Sequence, residues 1–228
     1  MGNEGYTLHR LPSSSAFIKG SNPWKNTSKH RRYTWFYIAD VWNAYPSVDL
    51  ERLAALIVYI KNYDAYADEI PLSAFNFSPV SSVEEVKYDG DYDECLALLR
   101  IYFSGEFGIG LPVGGPLSPF LFNLYCEVFI DAELRRLCKD HGLTYTRYAD
   151  DLTFTRCKPI IGDIRRDIRK VLARGGFSVN HEKCSVLSLE MGNVKVTKIS
   201  LNYAEGDEAR IAYSKKKRRR LQDRKSVV

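Results

Sequence analysis

The sequence predicts an α+β fold in which an antiparallel sheet is combined with helices. In the segment Leu143–Thr155, apolar or aromatic residues alternate with small polar ones on both sides of two adjacent aspartates, which indicates two strands that meet at a tight turn. The run Thr34–Asp40 has the length and the aromatic content of a buried strand. The predicted order is strand, helices, strand, strand, helix, strand, which is that of a split β-α-β arrangement.

Length and composition favour one large domain, or one domain with a lobe. The chain has 228 residues, of which 45% are hydrophobic and 13% aromatic, enough for a substantial core. No run of about 18 apolar residues is present, and the N-terminus lacks the apolar stretch of a secretory signal. The five cysteines are scattered and form no C-x-x-C pair, which predicts reduced thiols and neither disulfides nor a zinc site. We therefore expect a cytoplasmic protein with no membrane partner.

The charges are unevenly distributed along the chain. The net charge is +5, from 33 basic and 28 acidic residues. The segment Lys19–Arg32 contains basic residues and no acid, and Lys215–Arg220 consists of six consecutive bases. Local basic stretches attract phosphates, so a polyanionic partner is expected. For either run taken alone, a solvated helix face or tail remains the alternative.

The first half of the chain predicts two helices after the strand that ends at Asp40. Residues 1–33 are polar and weakly patterned, which predicts loops or an incomplete lobe. A turn at 41–47 is followed by a helix at about 49–63, whose apolar residues share one face. Residues 64–90 predict an extended loop or insertion, and a second helix is expected at about 91–103.

The second half begins with a glycine-rich connection, residues 108–118, that leads into a long helix. Ser118 and Pro119 suit its start, with a hydroxyl N-cap and a proline in the first turn. After the hairpin we expect a basic amphipathic helix at about 161–174, ended by two glycines. A short strand at 177–180 and a further hairpin formed by 194–202 and 209–213 complete the prediction.

Three carboxylates fall at the ends of predicted strands. Asp40 ends the first strand, and Asp150 and Asp151 form the tip of the hairpin. In the split arrangement these strands can be neighbours. Adjacent carboxylates repel one another unless a cation lies between them, and three of them suit a pair of Mg²⁺ ions about 4 Å apart. The alternative is a plain polar turn, because aspartate is a favoured turn residue.

Six stretches, taken in order, resemble the motifs of bacterial reverse transcriptases, and the retron type most of all. Four resemble motifs shared by the family: Asp40–Ser47, Gly110–Asn123, Tyr145–Phe154 and Gly176–Lys183. Two resemble features of retrons: Asn26–His30, similar to Asn-Ala-x-x-His, and Val196–Lys198, similar to Val-Thr-Gly. The resemblance covers roughly residues 16–220. The departures from the family pattern are Val113 for Gln, Asn43 for an acidic residue, Thr27 for Ala and Lys198 for Gly.

The resemblance implies a polymerase palm with partial fingers and a truncated thumb. Residues 1–33 would be partial fingers. Residues 34–213 would be the palm, with a fingers-like segment inserted at about 64–115. Residues 214–228 would be the basic start of a thumb or a tail. Family members carry more sequence at both ends, so the resemblance also implies a complementing chain, a structured RNA or a longer reading frame.

The resemblance also assigns roles to individual residues. Asp40, Asp150 and Asp151 would hold two Mg²⁺ ions, for which Mn²⁺ is a substitute. Lys183 would protonate pyrophosphate as a general acid, with an ordinary surface lysine as the alternative. Tyr45 would lie under the sugar of the incoming nucleotide, with a core aromatic as the alternative. Further substrate contacts are expected from Gly114, Gly115, Ser118 and Lys19. Contacts with nucleic acid are expected from Asn26, His30, Arg147, Lys215, Lys216, Lys217, Arg218, Arg219 and Arg220.

The function implied by the resemblance is RNA-directed DNA synthesis. A retron-type enzyme would copy a structured non-coding RNA, which serves as template and primer, into DNA from dNTPs. It would act in antiviral defence with an effector or complementing protein. One alternative is a catalytically impaired scaffold that only binds RNA. Another is a polymerase that works without a template or is primed by a protein hydroxyl.

Overall fold

The computed structural model describes residues 13–64, 90–105, 109–203 and 208–213, and it has the predicted α+β fold. The chain divides into two compact units. The sheet unit comprises the described residues within 1–40, 137–166 and 180–228, and the helical unit those within 41–136 and 167–179. The predicted boundaries at residues 33 and 213 remain a prediction. No helix among the described residues is long and apolar enough to cross a membrane.

The sheet unit is built on four antiparallel strands in the order β2-β3-β1-β4. These are β1 (Trp35–Asp40), β2 (Thr144–Tyr148), β3 (Asp151–Arg156) and β4 (Ser185–Ser188). β1 and β3 are central and largely buried. The rings of Tyr37 and Tyr145 stack on Phe154 across the strands, with centroids 5.8 and 4.8 Å away. Such cross-strand pairs stabilise one register of the sheet.

A second sheet of three antiparallel strands belongs to the same unit. Its strands are β5 (Val194–Val196), β6 (Ile199–Asn202) and β7 (Arg210–Ala212). Val194, Val196 and Leu201 pack in one core with Phe36 of β1. The predicted further hairpin is thus found as a three-stranded sheet, because the segments 194–202 and 209–213 pair with one another.

Helices of both units follow the amphipathic stretches of the sequence. They are α1 (Pro23–Ser28), α2 (Leu50–Asp64), α3 (Gly90–Tyr102), α4 (Ser118–Cys126), α5 (Ala132–Asp140) and α6 (Gly162–Arg174). A turn of π-helix, Glu127–Asp131, lies between α4 and α5. The long helix predicted from Ser118 is therefore found, but it is interrupted by this π-helical turn.

Three local predictions were wrong. Residues 23–28 form α1 instead of a loop, because Asn22 caps the first turn and proline occupies its first position. The predicted strand at 177–180 makes only a bridge between Val179 and Val41, and β4 begins later, at Ser185. The N-cap of α4 is Leu117, since the Ser118 hydroxyl donates instead to the carbonyl of Pro112, 2.7 Å away.

Candidate active site

The register between β1 and β3 places two of the three predicted carboxylates opposite each other. Asp40, the last residue of β1, is the direct partner of Asp151, the first residue of β3. Directly opposite residues of an antiparallel pair have side chains on the same face, with Cβ atoms about 5 Å apart. Asp150 precedes Asp151 in the loop of the hairpin. The three acids are thus brought to the same end of the sheet.

The hairpin loop has two residues and a strained backbone. Tyr148 pairs with Asp151, so Ala149 and Asp150 alone form the turn. Ala149 has a φ of 56°, in the left-handed region that costs an L-residue roughly 1–2 kcal/mol. A buried arginine supports this turn: Arg147 donates from Nη1 to the carbonyl of Ala149, 3.2 Å away. The strain persists because the surrounding contacts determine the conformation.

Arg147 is a correction to the predicted set of nucleic-acid contacts. Its side chain is fully buried, and its backbone pairs with the segment Ser13–Ser15 next to β2, through bonds of 2.8 and 2.9 Å. A side chain with no exposed surface cannot contact a phosphate of a bound nucleic acid. The structure instead assigns Arg147 to the support of the turn that carries Asp150. This role could not be predicted from the sequence, because arginines are seldom fully buried.

Asp40 is paired with Lys183, the predicted general acid. The Lys183 ammonium lies 3.0 Å from Oδ1 and 3.3 Å from Oδ2 of Asp40. The lysine is carried by a turn anchored to the end of β1, since the backbone N–H of Asn180 donates to the carbonyl of Asp40 over 2.8 Å. Its hydrogen bond to Asp40 is the main cause of a raised pKa of Lys183. The structure therefore brings Lys183 to the carboxylates.

Asp151 has a clearly raised pKa. Burial and, after it, the negative charges of Asp150 and Asp40 raise the pKa of Asp151 to about 6, although Lys198 and Lys183 act in the opposite direction. Oxygen donors with excess negative charge fit a divalent cation. Among the described residues, no three acidic, histidine or cysteine side chains lie close enough together to hold a metal ion as they stand. The donor chemistry nevertheless fits Mg²⁺ or Mn²⁺.

His30 and Asn26 are a second correction, because both are buried. The His30 ring joins the two strands of the hairpin: Nδ1 lies 2.8 Å from Thr155 Oγ1, and Nε2 lies 2.7 Å from Thr146 Oγ1. Burial, with a smaller contribution from Lys29, lowers the pKa of His30 to about 3, so the ring is neutral. Asn26 is only 1% exposed. His30 therefore holds the segment after α1 against β2 and β3, and neither side chain is exposed to a nucleic acid.

The basic residues near the start of the chain are only partly available to a ligand. Lys19 is exposed, as its predicted contact with phosphate requires. Arg31 and Arg32 instead pair with Glu208, at 3.2 and 2.8 Å. The basic run Lys215–Arg220, with its six predicted phosphate contacts, lies outside the described residues.

The other predicted substrate contacts belong to the helical unit. Tyr45 packs against Phe122, with ring centroids 4.9 Å apart. Gly114 has a φ of 87° and open space where a Cβ would be, while a Cβ on Gly115 would lie 2.6 Å from Ser118 Oγ. Ser118 is buried. The roles of these residues towards template and nucleotide remain predictions.

Comparisons with known proteins show which sequences and structures this chain is similar to. Residues 106–218 match the family described as reverse transcriptase (RNA-dependent DNA polymerase). The chain is 34% identical over 193 residues to the Retron Mx162 reverse transcriptase of Myxococcus xanthus, covering 78% of this chain and 37% of that protein. It is 36% identical over 95 residues to the Retron Ec83 reverse transcriptase of Escherichia coli, covering 40% and 30%. The chain thus spans well under two thirds of these relatives.

A solved structure supports the fold alone. Telomerase from Candida albicans, in a complex with a fragment of telomeric RNA, superposes with a TM-score of 0.50 at 15% identity, over 82% of this chain and 32% of that one. Residues 106–218 thus match the reverse transcriptase family, and the chain is similar in sequence to the bacterial retron type.

Proposed function

We propose that this chain is the catalytic part of a retron-type, RNA-directed DNA polymerase that uses Mg²⁺ held by Asp40, Asp150 and Asp151. The observation that carries the proposal is the pairing of Asp40 with Asp151 across β1 and β3, with Asp150 in the adjoining loop. The matched family and the named retron relatives support the same reaction.

The reaction is an in-line displacement at the α-phosphorus of a dNTP. The 3′-oxygen of the primer gives its proton to solvent water and forms a bond to this phosphorus, and the bond to pyrophosphate breaks. Bound Mg²⁺ would lower the pKa of the attacking hydroxyl and neutralise the charge that develops on the phosphates. Asp40, Asp150 and Asp151 would supply its protein oxygen ligands.

Lys183 would complete the reaction on the leaving-group side. Its Nζ is protonated and 62% of its side chain is exposed, so the ammonium can move from Asp40 towards a phosphate. A proton given from Nζ to the departing pyrophosphate oxygen would balance the proton lost by the 3′-hydroxyl.

The similarity to retron reverse transcriptases supports a proposal for the substrate class. The protein would act in the cytoplasm, where a structured non-coding RNA would serve as template and primer, and DNA would be the product. An effector or complementing protein chain and a role in antiviral defence belong to the same proposal. Exposed Lys19 and the run Lys215–Arg220 are the candidate phosphate contacts that remain after the corrections above.

Primer extension tests the proposal directly. The purified chain is incubated with an RNA template annealed to a primer, dNTPs and Mg²⁺, alone and with the cognate RNA expressed alongside it. Asp150→Asn should abolish incorporation. The matched control is Asp163→Asn, which removes an exposed carboxylate, 69% exposed, from α6 and should leave incorporation intact. Folded, RNA-binding protein that incorporates no more than the Asp150→Asn variant would refute a polymerase.

The second candidate is an RNA-binding scaffold that does not polymerise. It is favoured by the ion pair between Lys183 and Asp40, which occupies a predicted metal ligand. RNA affinity of the wild type and of a variant with all three aspartates changed to asparagine separates the two. Affinity that is independent of Mg²⁺ and the same in both proteins, without DNA synthesis, would favour the scaffold.

A further inference from the structure

Both oxygens of the Asp40 carboxylate are engaged by one side chain. Lys183 Nζ lies 3.0 Å from Oδ1 and 3.3 Å from Oδ2. The Asp40 side chain is only 11% exposed, so the approach to its oxygens is narrow. An ammonium and a divalent cation cannot contact the same two oxygens at once, because they repel at that distance.

The lysine is held in this position by its charge and not by its packing. Its backbone is fixed, since the N–H of Lys183 donates to the carbonyl of Asn180 over 3.1 Å. The four-carbon side chain beyond it is 62% exposed. The ammonium can therefore leave Asp40 by rotation of its own side chain, while the turn from Asn180 to Cys184 stays in place.

One lysine leaves the negative charge of the site incompletely balanced. Within the part of the chain that the structure describes, no cationic side chain forms an ion pair with Asp151, which still bears the repulsion of Asp150 and Asp40. Lys198 acts on Asp151 through its charge alone, because no ion pair or hydrogen bond of Lys198 is found in the described part of the chain. A divalent cation supplies twice the charge of the ammonium at this position, so the exchange is electrostatically favourable.

We propose that Lys183 is the counter-ion of the metal-free site, and that a divalent cation binds Asp40 by displacing its ammonium. Metal binding and release of the lysine are then one coupled event. Because the ammonium leaves Asp40 only when the metal arrives, Lys183 becomes available to a pyrophosphate only in a site that is ready for the reaction. This inference rests on the proposed function, but neither of its tests requires DNA synthesis.

The first test compares Lys183, which contacts Asp40, with Lys198, which carries the same charge near the carboxylates but does not contact Asp40. Thermal unfolding of Lys183→Met and Lys198→Met is followed while Mg²⁺ or Mn²⁺ is titrated at constant ionic strength. Both variants lose one positive charge near the carboxylates, but only Lys183→Met frees the oxygens of Asp40. Its half-saturating metal concentration should fall on the order of three- to tenfold, against no more than about twofold for Lys198→Met. Equal shifts in the two variants would overturn the displacement and leave only a general field effect.

The second test follows the amine itself in the wild-type protein. Acetylation of Lys183 by an amine-reactive reagent is measured by mass spectrometry with and without Mg²⁺, and exposed Lys170 serves as the internal reference. Displacement predicts that Lys183 becomes several-fold more reactive when the metal is added, while the reference is unchanged. Unchanged reactivity of Lys183, or no metal-dependent stabilisation of wild type and variants alike, would overturn the proposal. Positive results without primer extension would instead count against the proposed function.

Discussion

Replacement of Arg147 by methionine is the most informative test of the corrected site. Methionine keeps most of the side-chain length and removes the guanidinium, which is fully buried and donates to the carbonyl of Ala149. A hydrogen bond from a charged donor contributes about 1.5–3 kcal/mol, and a buried carbonyl left without a donor costs about 1–3 kcal/mol. Because these two figures describe overlapping parts of one loss, we expect the free energy of unfolding to fall by about 2–4 kcal/mol.

A loss of this size lowers the melting temperature by about 5–15 °C in a chain of this length. The turn also loses a contact that holds Ala149 at its positive φ, so Asp150 should be less well positioned and primer extension should decline at temperatures where the variant is folded. The assay is thermal unfolding followed by circular dichroism, combined with RNA affinity measured over a range of salt concentrations. Arg166→Met is the matched control, because Arg166 is 59% exposed and forms an ion pair with Asp163 on its own helix.

The refuting result is specific. If Arg147→Met melts within a degree or two of the wild type, and the slope of log affinity against log salt falls by about one, Arg147 contacts a phosphate. The structural assignment to the turn would then be wrong, and the prediction from the sequence would stand.

Three further predictions concern single residues. In the presence of a chelator, Asp151→Asn should be more stable than the wild type by about 1–3 kcal/mol at pH 7 and equal to it near pH 4, because the raised pKa of Asp151 makes the wild type lose stability as the pH rises from about 4 to 6. His30→Gln should make the protein less sensitive to acid. Because the pKa of His30 is lowered to about 3, the free energy of unfolding of the wild type falls by up to about 1.4 kcal/mol per pH unit as the pH falls below 6.5, and the variant should lack this loss. Gly110→Ala should cost more than about 3 kcal/mol, because its Cβ would lie 2.1 Å from the carbonyl oxygen of Pro46, whereas Gly142→Ala, at a similar φ with open space, should cost about 1 kcal/mol.

Denaturant unfolding at several pH values checks the first two predictions, and at neutral pH it checks the third. A stability difference for Asp151→Asn that is the same at pH 4 and pH 7 would contradict the cause assigned to its pKa. A His30→Gln variant with the acid sensitivity of the wild type would show that another group titrates. Equal losses for the two glycine variants would mean that backbone strain, and not the close approach to Pro46, sets the cost.

The central strands and the acidic residues were predictable because their pattern is local. Alternation with a period of two identifies β2 and β3, and a dense apolar run identifies β1. Once the strands were known, the position of Asp40 at the end of β1 and of Asp150 at the hairpin tip indicated which residues meet. Burial of β1 and β3 on both faces leaves few alternative registers.

The roles of Arg147 and His30 were not predictable, because their partners lie elsewhere in the fold. The family resemblance implied that both contact nucleic acid, and polar and charged residues are exposed in most proteins, so the sequence did not indicate that they are buried. The two threonines that bind His30 lie 116 and 125 residues further along the chain. Likewise, β4 has only four residues and a weak pattern, so its pairing with β1 depends on tertiary contacts.

The stacking of Tyr37 and Tyr145 on Phe154 has a consequence for the proposed metal site, which lies several residues away. A slip of one residue between β1 and β3 would turn one aspartate towards the opposite surface of the sheet. The aromatic rings oppose such a slip, and so they determine the spacing of the acids without touching them. Substitutions of these three aromatic residues should therefore lower the affinity for a divalent cation even where the protein remains folded.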